Sequence, residues 1–273
     1  MSFTSFSFLL YIGIALALYY IIPRRGQWVL LLIASCGFYL YSGLDNFCFI
    51  FLTTASTYGV ARIVDRTQAL FDRKKAKQKS KKWIWLCMGL NFGLLAICKV
   101  RFTFQNILLP MGISFYMFQS IGYVLDVYQG SIKAERNPFK FALFVSFFPS
   151  IVQGPLFRFG DVGMQLQQTH KFDYNNVKYG AQLIMWGFFK KLVIADRLAP
   201  ITQTVFSPGF TDYNGSQIFF GVLAYSFQIY GDFSGGTDIT RGAAQMLGIE
   251  LPVNFERPFF ATSMADFWHR WHA

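Results

Sequence analysis

Charge is missing from long reaches of this chain, and that absence limits what it can fold into. No Asp, Glu, Lys or Arg occurs from Phe3 to Pro23, Gly26 to Leu44, Asn46 to Ala61 or Trp83 to Cys98. Further uncharged windows run from Phe102 to Leu125, Phe141 to Phe157 and Tyr213 to Gly231. Crossing the hydrocarbon of a bilayer takes roughly 17–25 mostly apolar residues. Several windows reach that length, and others approach it with their flanks. Lipid cannot satisfy a bare backbone, so spans must be helices or closed barrels. Barrel strands alternate apolar and polar residues, whereas these windows are apolar on every face. The expectation is all-α: a multi-pass transmembrane helical bundle, with plain spans near 5–22, 27–43, 46–63 and 83–98. The first window has no basic lead and no small-residue cleavage site, so it reads as a retained helix.

Charged residues make up only 14% of the chain, yet the formal net charge is +11. Placement decides what that excess means. Nine of the 25 Lys and Arg residues fall between Arg62 and Lys82. A basic loop between apolar spans follows the positive-inside rule, which puts 62–82 in the cytoplasm. Counting spans from there puts Arg24 and Arg25 inside, the N-terminus outside, and Lys133, Arg136 and Lys140 inside again. Contact with anionic lipid is a second reading of the same charges. Nucleic acid is not expected as a partner. The four cysteines, Cys36, Cys48, Cys87 and Cys98, lie in apolar windows without Cys-x-x-Cys spacing and read as small buried hydrophobes.

The second half is less regular. Proline, glycine and polar residues interrupt its apolar stretches at Pro110-Met-Gly112, at Pro149 to Pro155 and at Gly231 to Gly236. Broken helices persist at membrane depth only when buried in protein or lining a wet cavity. The expectation is one membrane-embedded body over 1–273, without repeats or a linker, whose second half builds a central cavity. Segment 162–178 reads as a surface loop or short interfacial helix.

Polar chemistry concentrates near the end. Asp232, Ser234, Thr237 and Asp238 close an uncharged window, either as a polar cavity wall or as a helix-ending loop with Asp238 capping the next helix. The glycines beside them are not a phosphate loop, because no Gly-Lys-Ser/Thr follows. Asn254, Glu256 and Arg257 precede Pro258 in a polar turn. Asp266, His269 and His272 recur every third residue, so on a helix successive members are offset by about 60° and share one face. Such a face suits a general-base histidine oriented by its neighbours, a metal held by two imidazoles and a carboxylate, or plain structural hydrogen bonds.

The order and spacing of several stretches resemble the membrane-bound O-acyltransferase family, in its alginate O-acetyltransferase-like branch. They are Leu109 to Ser120 with Asp126-Val-Tyr128, Phe148 to Pro155 through Arg158, Gly187 to Arg197, Asp232 to Gly235, Leu251 to Phe255 and Asp266 to His272. The resemblance implies a bundle of broken and interfacial helices around a cavity reached from both faces. It implies transfer of an acyl group, acetyl by analogy with the branch, from a cytoplasmic acetyl-CoA-like thioester to a hydroxyl of an extracytoplasmic polysaccharide or wall polymer. No bound cofactor or metal is implied. An extracytoplasmic transferase partner and a bacterial cytoplasmic membrane location follow on the same basis.

His272 matches the first of two histidines the family uses. The second, the family's base, is expected downstream in a Leu-Trp-His-Gly context, so the chain reads as an N-terminal fragment of a protein about twice as long. His269 stands where the family has Arg and is not expected to be essential. Gly235-Gly-Thr-Asp238 departs from the family's Gly-Tyr-Ser-Asp pattern, which leaves the local role of Asp238 open. Candidates for lining the cavity are Gln153, Arg158, Asp232, Ser234, Asp238, Asn254 and Asp266. The competing readings are a transporter or flippase, and an inactive truncated acyltransferase serving as a scaffold.

Overall fold

The computed structural model describes residues 5–105, 109–151, 153–207 and 213–271. Helices dominate it. The only β pairing among the described residues is a single antiparallel bridge between Phe255 and Trp271. Packing divides the chain into two compact units: Ile14–Val152 with Leu156–Lys171, and Met1–Gly13, Gln153–Pro155 and Phe172–Ala273.

The four expected plain spans each fall on one helix: α1 (Phe6–Ile21), α2 (Gln27–Tyr41), α3 (Leu44–Leu70) and α4 (Arg73–Gln105). The stretches Leu44–Leu70 and Arg73–Phe104 are long and apolar enough to cross a membrane. One expectation is corrected here. The basic stretch 62–82 is not a loop, because α3 and α4 run into it from both sides and break only at Phe71 and Asp72. Lys, Arg, Gln and Ala are good helix formers, so nothing in this stretch opposes continuation. Of the cysteines, Cys87 and Cys98 are buried, Cys36 is partly covered and Cys48 is exposed, which corrects the expectation for the last.

In the first unit α3 packs against α2, α4, α5 (Ile113–Gln129) and α6 (Pro138–Ser146). The core is aromatic. Tyr123 meets Phe141 at 4.6 Å and Phe159 at 5.0 Å between ring centroids, and Phe144 meets Phe159 at 5.0 Å. Between helices in lipid the hydrophobic driving force is weak, so interlocking of rings does the holding. The Tyr123 hydroxyl is satisfied by the Glu135 N–H at 2.7 Å.

The proline breaks at 110 and 149 are real, and they meet. Gly112 lies in the left-handed region at φ 69°, where a Cβ would sit 2.2 Å from the Ile151 carbonyl oxygen. Phe147, Phe148 and Ile151 are buried, so this irregular backbone is sheltered by protein. Elsewhere in the unit, buried Gln27 clasps the His170 peptide. Its Oε1 accepts the His170 N–H at 2.8 Å, and its Nε2 donates to the His170 carbonyl at 2.9 Å. That clasp anchors the polar segment expected at 162–178, which folds as a π turn (Phe159–Gly163), a short helical turn and extended chain before α7.

In the second unit α7 (Tyr174–Phe188) continues through a π-helical turn, Phe189–Ala195, into α8 (Asp196–Val205). This run packs antiparallel to α9 (Gly215–Met246). Glycines set the approach. Gly180 faces Gly242 and Gly187 faces Gly235, and a Cβ on any of the four would come within 2.8 Å of the opposing carbonyl oxygen. The expected break at Gly231–Gly236 is therefore corrected. Helix α9 runs straight through it, and the glycines serve close packing instead of a turn. Asn214 starts α9 with a full capping box, its side chain accepting the Gln217 N–H while Gln217 returns to the Asn214 N–H. The last helix among the described residues is α10 (Met264–Arg270).

Candidate functional site

Helix α9 carries Asp232 and Asp238 in its C-terminal half, and the π turn supplies their partners. The Lys190 ammonium bonds the Asp238 carboxylate, and Lys191 bonds Asp232. Lys191 also reaches Asp196 at 3.2 Å, and Arg241 reaches the second oxygen of Asp238 at 3.5 Å. Three cations thus face three carboxylates, leaving the cluster neutral. Lys190 and Asp238 are the deepest pair, with side chains 9% and 14% exposed. Charges removed from water persist only when paired, and here every member has a partner.

The local fold explains why two adjacent lysines can do this. In an α-helix neighbouring residues diverge by about 100°. A π turn has more residues per turn, which narrows that divergence and lets Lys190 and Lys191 both reach α9. The backbones are close there too, since a Cβ on Gly231 would sit 3.1 Å from the Lys190 carbonyl oxygen. π turns inside α-helices are frequent at functional sites.

Gln153 joins the same site. Its Nε2 donates to the Asp232 carbonyl at 3.3 Å, and its side chain lies where a Cβ on Gly236 would be. Ser234 is buried on α9. Asp238 does not cap a helix, correcting that reading, because α9 has no end near it.

The segment after α9 folds back on it through aromatic rings. Tyr230 stacks edge-on to Phe255 and Phe259 at 5.8 and 5.3 Å and meets Trp271 at 6.1 Å. Phe255 and Trp271, 5.0 Å apart, also share the backbone bridge, and the Glu256 N–H donates to the Arg270 carbonyl at 2.9 Å. Buried Asn254 precedes this clamp. Ser263 caps α10 by accepting the Asp266 N–H at 3.1 Å, while Asp266 accepts the Thr262 N–H at 3.0 Å and the Arg270 Nε–H at 2.8 Å. Those bonds, Arg270 first, hold the Asp266 carboxyl below the usual carboxylate range.

Of the expected helical face of Asp266, His269 and His272, the first two lie on α10. Helix α10 ends at Arg270, and Trp271 turns extended to pair with Phe255. Residue His272 lies outside the described residues, and His269 is exposed. Asp266 is committed to capping, and among the described residues no three His, Cys, Asp or Glu side chains are grouped to hold a metal.

Arg158 belongs to the other unit. It lies 3.7 Å from Asp126 at the rim of a pocket of about 320 Å³ lined by Gln119, Tyr123 and Gln129. The sequence reading found the carboxylates of the α9 cluster but assigned no role to Lys190, Lys191, Asp196 or Arg241. The available signal was two lysines inside an otherwise apolar run, where unpaired charge is costly once buried.

A family model described as MBOAT, membrane-bound O-acyltransferase family, matches residues 134–273. A protein named Probable alginate O-acetylase AlgI from Azotobacter vinelandii is 36% identical over all of this chain and 56% of its own length. The Pseudomonas fluorescens protein of the same name is 36% identical over the whole chain and 54% of its own length. A Peptidoglycan O-acetyltransferase from Helicobacter pylori is 30% identical over 89% of the chain and 52% of its own length. The chain spans about half the length of these curated relatives.

Proposed function

Since the chain belongs to the membrane-bound O-acyltransferase family, we propose that the full-length protein is a multi-pass membrane enzyme that acylates a polymer. It takes the acyl group, acetyl on the likeness to the alginate and peptidoglycan relatives, from a cytoplasmic thioester and delivers it to a hydroxyl of an extracytoplasmic polysaccharide or wall polymer. These residues form one membrane-embedded catalytic body around a cavity, in the bacterial cytoplasmic membrane, with the 62–82 stretch cytoplasmic and the N-terminus outside. An extracytoplasmic transferase partner receives or presents the polymer.

The observation that carries this reading is the clamp at the end of the described chain. Trp271, the residue before His272, is pinned to Tyr230, two residues before Asp232. Trp271, next to the candidate histidine in sequence, is thereby held against the helix that carries the polar cluster. In the reaction an acceptor hydroxyl oxygen attacks the thioester carbonyl carbon. The C–O bond forms, the C–S bond breaks, and the hydroxyl proton passes to a histidine and on to the departing thiolate. A neutral imidazole suits that transfer near pH 7. His272 supports it as base or as hydrogen-bond partner. Asp232, Ser234, Asp238, Asn254 and Gln153 line or brace the cavity, Arg158 offers a cation at the pocket of its own unit, and Asp266 holds the segment that precedes His272.

The test is transfer of labelled acetyl from a thioester to polymer in membranes holding the full-length protein. Label in the polymer is the expected result. Substrate flux into proteoliposomes without acyl turnover would replace this reading with a transporter.

A further inference from the structure

The basic stretch between α3 and α4 contains a shaped pocket as well as a charge excess. Gln68 on α3, Arg73 and Lys77 on α4, and Tyr128, Gln129 and Gly130 at the end of α5 enclose about 300 Å³. Arg73 and Lys77 are one helical turn apart and so point to the same side.

The walls are fixed independently of any ligand. Gln68 Nε2 donates to the Val127 and Tyr128 carbonyls, each at 3.0 Å, which ties α3 to the end of α5. The Tyr128 hydroxyl donates to the Lys77 carbonyl at 3.4 Å, and the Lys77 ammonium stands 5.7 Å from the Tyr128 ring centroid. Those carbonyls would otherwise repel an anion at a helix C-terminus. Gln68, Gly130 and Ser131 satisfy them, the last two through N–H bonds of 3.0 Å to Val127 and Asp126.

Among the described residues no carboxylate lines the pocket. Asp72 adjoins Arg73 in sequence without lining the pocket, and the other nearby acids are spent elsewhere. Asp65 pairs with Arg62 and accepts the Ala134 N–H, Asp126 faces Arg158, and Glu135 accepts from Arg136, Asn137 and Gln167. Between Arg62 and Lys82 only Asp65 and Asp72 oppose nine basic residues. Among the described residues neither Arg73 nor Lys77 forms an ion pair.

We propose that this pocket binds a phosphate group, with Arg73 supplying a two-pronged guanidinium contact and Lys77 a point charge. Planar guanidinium and compact ammonium are the two side chains suited to phosphate oxygens. Two sources carry that chemistry to this face. One is the headgroup of an anionic phospholipid, and the other is the nucleotide end of a coenzyme-A-type thioester. The lipid source is independent of the proposed acyl transfer, and the nucleotide source rests on it.

The experiment compares the full-length protein with an Arg73→Glu/Lys77→Glu variant and with Lys81→Glu/Lys82→Glu, which makes the same charge change outside the pocket. Phosphatidylglycerol retained from mixed phosphatidylcholine–phosphatidylglycerol nanodiscs is measured by native mass spectrometry. Binding of 3′,5′-adenosine diphosphate is measured by calorimetry, and thermal unfolding verifies that both variants fold. The expected result is binding of one probe that weakens on the order of tenfold or more in the pocket variant, the scale of two basic contacts at an anionic surface, and much less in the control. Loss of phosphatidylglycerol assigns the lipid, and loss of the nucleotide assigns the donor. Equal loss in both variants reduces the effect to diffuse charge and overturns the pocket, as does binding that neither variant changes. Because acetyl transfer is read separately, failure here leaves the transfer reaction standing or falling by its own assay.

Discussion

At Asp238 one carboxylate answers two cations, Lys190 and Arg241, so substitutions around it are not equivalent. Asp238→Asn strands both cations at partial burial and should cost about 3–5 kcal/mol, the scale of breaking a buried pair. Lys190→Met leaves Asp238 with Arg241 and should cost clearly less. Thermal unfolding in detergent orders the two, and the reverse order would contradict the three-membered arrangement. Asp266 offers a pH test. Its carboxyl is depressed by Arg270 and the Thr262 N–H, so its contribution is present above the ordinary value of 3.8 and lost as pH falls through the lower folded-state value. Protease resistance of 251–271 should hold down to that range and then drop, whereas Asp266→Asn should remove the pH step. Scarcity of charge made Asp232 and Asp238 visible in the sequence. Their lysine partners were not, because the pairs join residues 41 and 48 positions apart and form only when α9 meets the π turn.

Glycine and proline looked alike as helix breakers in the sequence, yet the elements separate them. Pro110 and Pro149 do sit in irregular backbone, because proline lacks the N–H a helix needs. Gly231–Gly236 stays helical, because glycine is only modestly unfavourable in a helix and tight contact with α7 and the π turn offsets that cost. Periodicity alone could not reveal this, since the contact partner is a different helix. Gly187→Ala or Gly235→Ala should therefore lower stability by about 1–3 kcal/mol, the overpacking range. Gly59→Ala and Gly93→Ala meet nothing within 4 Å. Each should instead raise stability by about 0.5–1 kcal/mol, and melting temperatures of the four variants check the contrast. The helical extension into 62–82 from both sides was also hidden, because a run of positive charge marks the membrane face without marking where a helix stops.

For the whole molecule, the all-α class and the first four helices were legible because lipid leaves the backbone few options. The family was legible because its motifs fall in order along the chain. The proposed orientation makes a direct demand. A cysteine placed at Lys79 should react with impermeant thiol reagent only from the cytoplasmic side, and one placed at Asp45 only from the outside. The central claim concerns the histidine beside the Tyr230–Trp271 clamp. It is tested most directly by acetyl transfer from thioester to polymer in membranes holding full-length His272→Ala or His269→Ala protein at equal abundance. Loss of transfer in the first variant and retention in the second is the predicted result. Wild-type transfer by His272→Ala would contradict it.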